Sequence, residues 1–431
     1  MIDQLKDNFK TFESKLNGAS KSNWHLLRKE AFEIFSKNGF PKTKDEEYRY
    51  THITRALEKS INFSDFSPVI KSQHVETQPL FYDADAIHVF ITNGVVNREK
   101  LNQLKVPGLD IMTLREATEK YPNEVETHFG KYADVKKDPF TAFNMAFSYE
   151  GVFIKIHKNT ILEKPVILHY HVGHESQNHV FQSRNLIIAE QGVQANIIES
   201  NGSTNLQEQF SNHVSEIVVE ANAHLKYFKL QYHSDKTYHI DNSFISQRKD
   251  SVVKSYTFTL EGKITRNNLN LMLEEENCEA HMYGLYVVHR DSHVDNHTSV
   301  DHKVANCYSN EIYKGILDDT SKGVFNGKIF VRQDAQKTNA FQSNKNILLT
   351  DTASVNTKPQ LEIWADDVKC SHGCTTGQLD DEQLFYLRSR GISKSSARAM
   401  LLHAFVNDVL DKIEIDFLHD FINDEMYNRL D

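Results

Sequence analysis

The chain is poor in the residues that cross-link or sharply turn a polypeptide. Its 431 residues include only 4 cysteines, 8 prolines and 17 glycines. So few cysteines in so long a chain argue against a disulfide framework and favour a reducing, cytoplasmic compartment. The scarcity of glycine and proline argues against tight hairpins as the main connection between strands.

Long apolar runs and excess positive charge are also lacking. No segment approaches about 18 consecutive apolar residues, so we expect no transmembrane helix and no membrane partner. The formal net charge is −10, which argues against a broad phosphate-binding surface and against a nucleic-acid partner. The polar residues 1–18 lack the apolar centre of a signal peptide. With 39% hydrophobic residues, 26 Phe and 17 Tyr, the chain can nevertheless bury a sizeable core.

Motifs of the common enzyme classes are absent as well. The segment Gly323–Lys328 resembles a phosphate-binding loop, but three residues separate its glycines where four are needed. Ile329 also stands where a Ser or Thr should bind magnesium. Neither a G-x-S-x-G elbow nor a G-x-G-x-x-G fingerprint occurs. We therefore predict that the chain is not an enzyme and that any ATP hydrolysis comes from another protein.

Hydrophobic spacing divides what is present into three regions. Residues 1–145 are predicted to be helix-rich with short strands, since a helical apolar stripe ends at Gly39 and a strand pattern leads to Asn93-Gly94. Residues 146–380 contain short apolar segments separated by polar turns. Residues 381–431 return to helical spacing.

The middle region predicts an all-β architecture. Its last apolar segments, which begin at Ile329, Ile347 and Leu361, start 18 and then 14 residues apart. Because hairpin turns are scarce, stacked coils fit better than hairpins, and we predict a right-handed parallel β-helix. Its core is expected to be a stack of inward-facing apolar residues. A β-sandwich is the competing interpretation.

In the C-terminal region, two apolar stripes share one helix. Leu402, Val406 and Val409 belong to the second stripe, and an ordinary surface helix needs only one. Either the last helix, with Leu418 and Ile422, covers this second face, or the face docks a partner.

Two sets of alternating residues are candidate metal ligands. Cys370, His372 and Cys374 would project from one face of a strand, and thiolate and imidazole are ligands for iron, zinc or a cluster. Three ligands on one strand cannot surround a metal alone, so a partner would have to add a fourth. The alternative is that the cysteines fill the β-helix and His372 makes a structural hydrogen bond.

The second set also alternates, and we interpret it as a hydrated outer face of the solenoid rather than as a row of ligands. Its members are His289, Asp291, His293, Asp295, His297 and Asp301.

Several stretches resemble the SufB/SufD family of iron–sulfur cluster assembly proteins. The most specific are Lys358–Ile363, Asp366–Gly373 and Leu384–Ile392. The remaining matches are Asp45–Thr51, His293–His302, Tyr313–Ile316 and Phe325–Ile329. Together they cover residues 40 to 410 in the family's order and spacing.

The family contains two paralogues, and the resemblance separates them. The cluster scaffold, SufB, carries a cysteine in the strand region before the Lys-Pro segment, whereas Gln342–Ile347 has none here. The Cys-Ser-His-Gly run at 370–373 is the form of the other paralogue. Cys374 is not part of the family pattern.

The resemblance implies a non-catalytic subunit that pairs with a SufB-like paralogue. It also implies that a SufC-like ABC ATPase docks on the C-terminal helices. His372, and to a lesser degree Cys370, would lie near the contact with SufB. No cofactor would be stably bound to the chain alone, although a transient iron–sulfur cluster at the SufB interface is expected. In isolation the chain could form a homodimer.

Two other functions compete with cluster assembly. Parallel β-helices also serve as polysaccharide lyases and hydrolases, which need clustered Asp, Lys or Arg in an exposed groove and usually a secreted protein. A homomeric structural scaffold is the third hypothesis.

Overall fold

A parallel β-solenoid forms the centre of the chain, and helices from both ends of the sequence pack against it. The computed structural model describes residues 2–16, 23–63, 66, 79–172, 180–203 and 207–430. The predicted mainly β class, with a parallel β-helix between helical regions, is confirmed. Nowhere in these ranges is a helix long and apolar enough to cross a membrane.

The N-terminal region holds seven described α-helices and three short strands. Its elements are α1 (Ile2–Lys15), α2 (Asn23–Asn38), a 3-10 helix (Glu46–Tyr48), α3 (Ile53–Ser60), β1 (Ile87–Thr92), β2 (Val95–Val96), α4 (Arg98–Gln103), β3 (Leu109–Thr113), α5 (Leu114–Lys120), α6 (Pro122–His128) and α7 (Pro139–Phe147). Residues 17–22 of the predicted N-terminal helical stretch lie outside the described residues. Helix α2 ends as its sequence predicts, since Gly39 has a φ of 73° and its amide bonds to the Phe35 carbonyl at 2.7 Å.

The solenoid is built from strands of mostly nine to eleven residues. They are β4 (Val152–Ile156), β5 (Val166–Val172), β6 (Val180–Ala189), β7 (Gln194–Ser203), β8 (Gln209–Val219), β9 (His224–Tyr232), β10 (Thr237–Gln247), β11 (Val252–Glu261), β12 (Ile264–Leu273), β13 (Glu279–Val288), β14 (His293–His302), β15 (Tyr308–Leu317), β16 (Lys322–Val331), β17 (Thr338–Leu348), β18 (Ser354–Thr357), β19 (Gln360–Ile363) and β20 (Val368–Gly377).

Successive strands alternate between two sheets. Sheet A runs in the order β2-β1-β5-β7-β9-β11-β13-β15-β17-β20, and sheet B in the order β18-β16-β14-β12-β10-β8-β6-β4-β3, with β19 also on β16. The solenoid strands pair in parallel, so the sandwich interpretation is wrong. Ile329 pairs in register with Leu361, and therefore the two predicted spacings together make one coil.

Asparagine and aspartate, rather than glycine, make many of the turns between strands. Asn222, Asp250, Asn277, Asn306 and Asp319 all have positive φ, between 53° and 64°. These residues tolerate the left-handed conformation better than other non-glycine residues. Their use explains how a solenoid forms with so few glycines.

The interior of the solenoid is only partly the apolar stack that we predicted. Lys229 of sheet A bonds to Asp241 of sheet B across the interior, and Gln231 donates to Asn267 at 2.6 Å. Asn267 then donates to Asn296 of the next coil at 3.0 Å. The predicted apolar stack is present as one continuous cluster, but polar side chains on facing strands share the interior with it because they satisfy one another's hydrogen bonds.

A buried ion pair ties the N-terminal region to the solenoid. Arg266 of β12 and Asp295 of β14 are adjacent in register, 2.5 Å apart and both buried. The Thr51 hydroxyl donates to Asp295 at 2.6 Å, and Arg266 donates to the Glu47 carbonyl at 2.8 Å. The segment that carries residues 47–51 is therefore fixed on sheet B by charge-assisted hydrogen bonds.

This arrangement corrects our interpretation of the second alternating set. Asp295 is buried, and His297 is 2.9 Å from Asp295 and 3.3 Å from Glu47. Asp291 alone keeps the expected exposure, with 63% of its side chain accessible. The hydrated-face interpretation is wrong for residues 293–297, because the N-terminal segment covers this part of the strand.

The C-terminal region consists of α8 (Asp381–Ser389), α9 (Lys394–Leu410) and α10 (Asp416–Leu430). The predicted caps are present, since Asp380 and Ser393 accept hydrogen bonds from the first-turn amides of α8 and α9. Helix α9 packs on the outer face of sheet A, where Leu402 and Val406 join a core with Phe228 and Tyr256.

We predict that the Arg266–Asp295 pair is a major local contribution to stability. Asp295→Ala leaves Arg266 buried without its carboxylate, so the free energy of unfolding should fall by about 3–5 kcal/mol in chemical denaturation. Asp291→Ala is the matched control, because it removes only the more exposed pair with Lys263, in the segments that directly precede the same two strands. That variant should lose at most about 1 kcal/mol. Equal losses in the two variants would contradict the assignment.

The pair also gives stability a pH dependence. Burial alone would raise the pKa of Asp295, but the Arg266 guanidinium and His297 outweigh burial and hold the pKa well below its usual range. A carboxyl group with a depressed pKa stabilises the folded state above its unfolded pKa of about 4 and loses this contribution as the pH falls. The difference in unfolding free energy between wild type and Asp295→Asn should therefore shrink below about pH 4.

Candidate functional site at the open end of the solenoid

The last coil leaves both sheets with an uncovered strand. Strand β20 is the final strand of sheet A and pairs with β17 on one side. In sheet B, the short strands β18 and β19 both lie on β16. Among the described residues, no strand pairs with the outer edge of β20. The solenoid therefore ends in open backbone hydrogen-bonding groups.

The predicted ligand residues lie on this end strand. Cys370, His372 and Cys374 of β20 are in register with Ala340, Gln342 and Asn344 of β17. Parallel neighbours in register project to the same side of a sheet, and Gln342 and Asn344 are buried inside the solenoid.

The three ligand candidates therefore face the interior side at its open end. Cys370 is half-buried, whereas His372 and Cys374 are exposed. Their exposure follows because no further coil of the described chain lies over them.

His372 stands at the end of a polar ladder. Glu311 pairs in register with Gln342, and Gln342 pairs with His372. The Gln342 amide donates to Glu311 at 2.8 Å, and burial raises the pKa of Glu311 to about 7. Oε1 of Gln342 is buried without a hydrogen-bond partner in the described part of the chain. A hydrogen-bond acceptor thus lies in the rung directly next to His372.

The end strand does not form a closed metal site by itself. Side chains two residues apart on a strand are separated by about 6.5–7 Å. Within the described ranges, the one group of three histidine, cysteine or acidic ligand atoms within 4.8 Å of one another lies elsewhere, inside the solenoid. Burial raises the pKa of the Cys370 thiol, so metal binding there would have to displace its proton. Cluster binding at His372 and Cys370 stays a prediction.

Exposed apolar side chains lie beside the open end. The sequence analysis did not identify them as candidate contact residues. Ile363 of β19 and Trp364 are 39% and 49% exposed. The Arg332 guanidinium lies 5.2 Å from the centre of the Trp364 ring. The available sequence signal was Trp364 itself, one of two tryptophans in the chain, directly after the apolar segment that begins at Leu361. Such a residue is typical of a protein interface.

The predicted docking residues of α9 are not on the surface. Leu402, Val406 and Val409 are completely buried, and α10 adds Leu418 and Ile422 to the same core. These three side chains cannot touch a partner while the helices stay in place, so their assignment as contact residues needs correction. Their position agrees with the alternative hypothesis, in which the last helix covers the second apolar face of α9.

Other residues of the C-terminal region, different from the three predicted docking residues, are apolar and exposed. Phe385 and Tyr386 of α8 are 74% and 56% exposed, and Met400 of α9 is 50% exposed. Helix α8 buries none of its residues in this chain. A partner that docks on the C-terminal helices would find its apolar contacts here.

The segment that resembles a phosphate-binding loop is part of strand β16. A Cβ added to Gly327 would come within 2.1 Å of the Gln342 amide nitrogen, so this glycine serves the packing of the interior. Lys328 pairs with Glu47. The segment has no loop in which phosphate oxygens could be surrounded by backbone amides.

Comparison with known proteins identifies the family to which this chain belongs. The SufBD core domain of the SUF system for iron–sulfur cluster assembly matches residues 171–405, and the SufBD N-terminal region matches residues 1–168. The chain belongs to the SufBD family, and the family supports a role in iron–sulfur cluster assembly.

Individual relatives show which branch of the family the chain resembles. The iron–sulfur cluster assembly protein SufD of Escherichia coli is 32% identical over 383 residues, covering 88% of this chain and 86% of that protein. An iron–sulfur cluster assembly SufBD family protein of Synechocystis is 31% identical over 414 residues, covering 94% and 90%. The predicted resemblance to the SufD branch of the family is confirmed.

We predict that the four cysteines differ in reactivity according to their place in the solenoid. Alkylation of the folded chain near pH 8, followed by mass spectrometry, should modify exposed Cys374 first and half-buried Cys370 more slowly. Cys278 and Cys307 are buried and should react only after unfolding. Because the Cys370 pKa is raised, its labelling should increase further as the pH rises. Labelling of Cys278 at the rate of Cys374 would contradict this placement of the coils.

Proposed function

We propose that the chain is a non-catalytic subunit of a complex that assembles iron–sulfur clusters. In this proposal it pairs with a SufB-like paralogue through the open end of the solenoid and binds a SufC-like ATPase through its C-terminal helices. The observation that carries the proposal is the uncovered strand β20 with His372 and Cys370 on its interior side.

A strand of this length with one edge unpaired among the described residues favours a protein partner. Strand β20 spans ten residues, and its side chains are mostly exposed. Natural proteins cover such edges, because open backbone groups readily pair with another chain. The end strand of a paralogous solenoid would continue sheet A and bury Trp364 beside it. A second copy of this chain could occupy the same edge when the paralogue is absent.

The pairing would also complete the ligand set. A thiolate and an imidazole are ligands of iron–sulfur clusters, yet β20 offers them in a row along one strand. Ligands from the facing chain would close the site at the seam between the two proteins. The cluster would be cargo that is built and passed on, so neither subunit would need to hold it permanently.

The lyase or hydrolase alternative finds no supporting observation in the described residues. A cavity of about 490 Å³ lies between the N-terminal segment and sheet B, lined in part by Arg266, Lys328 and Arg332. Each of these cations already forms an ion pair, with Asp295, Glu47 and Asp301 respectively. The acid and base of glycoside hydrolysis are carboxyl groups, and these three carboxylates are each held by a cation instead of facing the cavity free.

We predict that His372→Ala lowers the iron and sulfide content of the complex reconstituted with SufB-like and SufC-like partners. The thermal midpoint and partner binding should stay nearly unchanged, because the side chain is exposed. Cys374→Ser should have a smaller effect on cluster content.

His224→Ala is the matched control, since it removes an exposed histidine from β9 of the same sheet, several coils away from the open end. A His372→Ala complex with the normal cluster content would sink the assigned role. A large drop in melting temperature would instead make His372 a structural donor.

We also predict that Phe385→Asp weakens binding of the ATPase, because it places a charge in the most exposed apolar contact of α8. A loss of at least about tenfold in affinity is expected for an interface anchor of this kind. Leu26→Asp is the control, since Leu26 of α2 is 61% exposed at the other end of the chain. Affinity measured by titration calorimetry that is unchanged by Phe385→Asp would place the docking surface elsewhere.

A further inference from the structure

Inside the solenoid, three side chains on neighbouring strands of sheet B turn ligand atoms toward one another. His213 of β8 lies directly across from Asp241 of β10, and His239 precedes Asp241 by two residues on the same face. One ligand atom of each lies within 4.8 Å of the other two. Nε2 of His239 is 3.9 Å from Oδ2 of Asp241. All three residues are buried.

Each of the three residues also has a buried side-chain atom without a hydrogen-bond partner in the described chain. Nδ1 of His213, Nε2 of His239 and Oδ2 of Asp241 are each buried without a hydrogen-bond partner within the described chain. Buried polar atoms are nearly always paired with protein, water or an ion. Nε2 of His239 and Oδ2 of Asp241 face each other at 3.9 Å, so one bound ion or water between them would satisfy both.

The surrounding side chains hold these ligands in position. The Ser211 hydroxyl is 2.6 Å from Nδ1 of His239, which orients the ring and leaves Nε2 facing Asp241. Lys229 and Ser243 both donate to Oδ1 of Asp241, so Oδ2 remains available. Imidazole ligates metals in its neutral form, through the ring nitrogen that the second hydrogen-bond partner leaves free.

We propose that His213, His239 and Asp241 bind one divalent transition-metal ion of the zinc or ferrous type. Two imidazoles and one carboxylate are a ligand set that both ions accept, with a remaining position for water. The site lies within the coils, apart from strand β20, and does not depend on the proposed function.

The charges around the site are compatible with a cation. Lys229 opposes a cation, but Asp241 compensates its charge, and Glu199 lies on the facing sheet close enough to interact with both. A cation bound at Asp241 would therefore lie near two acidic groups and one ammonium group.

The test separates this site from the end strand. The full-length chain is prepared with Cys370→Ser, His372→Ala and Cys374→Ser, grown with added zinc or, anaerobically, ferrous iron, and purified without chelator. Elemental analysis should find about one metal ion per chain. Adding His213→Gln and His239→Gln should remove it. His233→Gln is the matched control, because His233 is equally buried nearby but is not one of the three converging ligands, and it should retain the ion.

A second measurement does not require the histidine variants to fold. The triply substituted chain loaded with cobalt should show cobalt absorption without a thiolate charge-transfer band. Crystals of the same chain grown with zinc should show an anomalous peak between His213, His239 and Asp241. A metal-free chain, or ordered water alone at that position, would overturn the proposal. Metal that survives loss of both histidines would also overturn it.

Discussion

In-register parallel stacking of coils is the constraint on which the rest of the structure depends. The backbone of each strand forms hydrogen bonds with the strand of the previous coil and with the strand of the next coil. Strand β17, for example, pairs with β15 and with β20. Residues at one register position consequently form ladders along the solenoid. For the same reason, the outer backbone N–H and C=O groups of the final coil have no partner strand within the described chain. The open end of the molecule is thus a direct consequence of the repeat, and the side chains of its last strand are exposed because no further coil follows within the described chain.

The ladders explain why polar residues occupy the interior. Lys229 and Asp241, or Gln231 and Asn267, would be costly in isolation, but facing sheets bring complementary partners together. The polar side chains do not replace the apolar core, which continues beside them through residues such as Ile217. A ladder of this kind reaches from Glu311 through Gln342 to the position of His372. The row of polar side chains inside the solenoid therefore continues without interruption to the open end.

Local chemistry made part of this structure predictable from the sequence. The end of α2 at Gly39 and the caps Asp380 and Ser393 follow from residue preferences within a single turn. The β-helix was predictable from strand spacing and from the family resemblance. The polar interior was not, because alternation along a strand does not reveal whether the polar face meets water or another coil. Asp295 shows this most clearly, since its partners Arg266 and Thr51 are distant in sequence. The burial of Leu402 likewise depended on where α10 packs.

The central claim is that strand β20 is completed by a partner solenoid, and backbone hydrogen–deuterium exchange tests it most directly. The chain alone should exchange those amides of β20 that point away from β17 quickly, since they lack a strand partner among the described residues. In complex with the SufB-like paralogue, these amides should become strongly protected, while interior strands such as β10 remain unchanged. A stable complex in which β20 exchanges as rapidly as in the isolated chain would contradict the account.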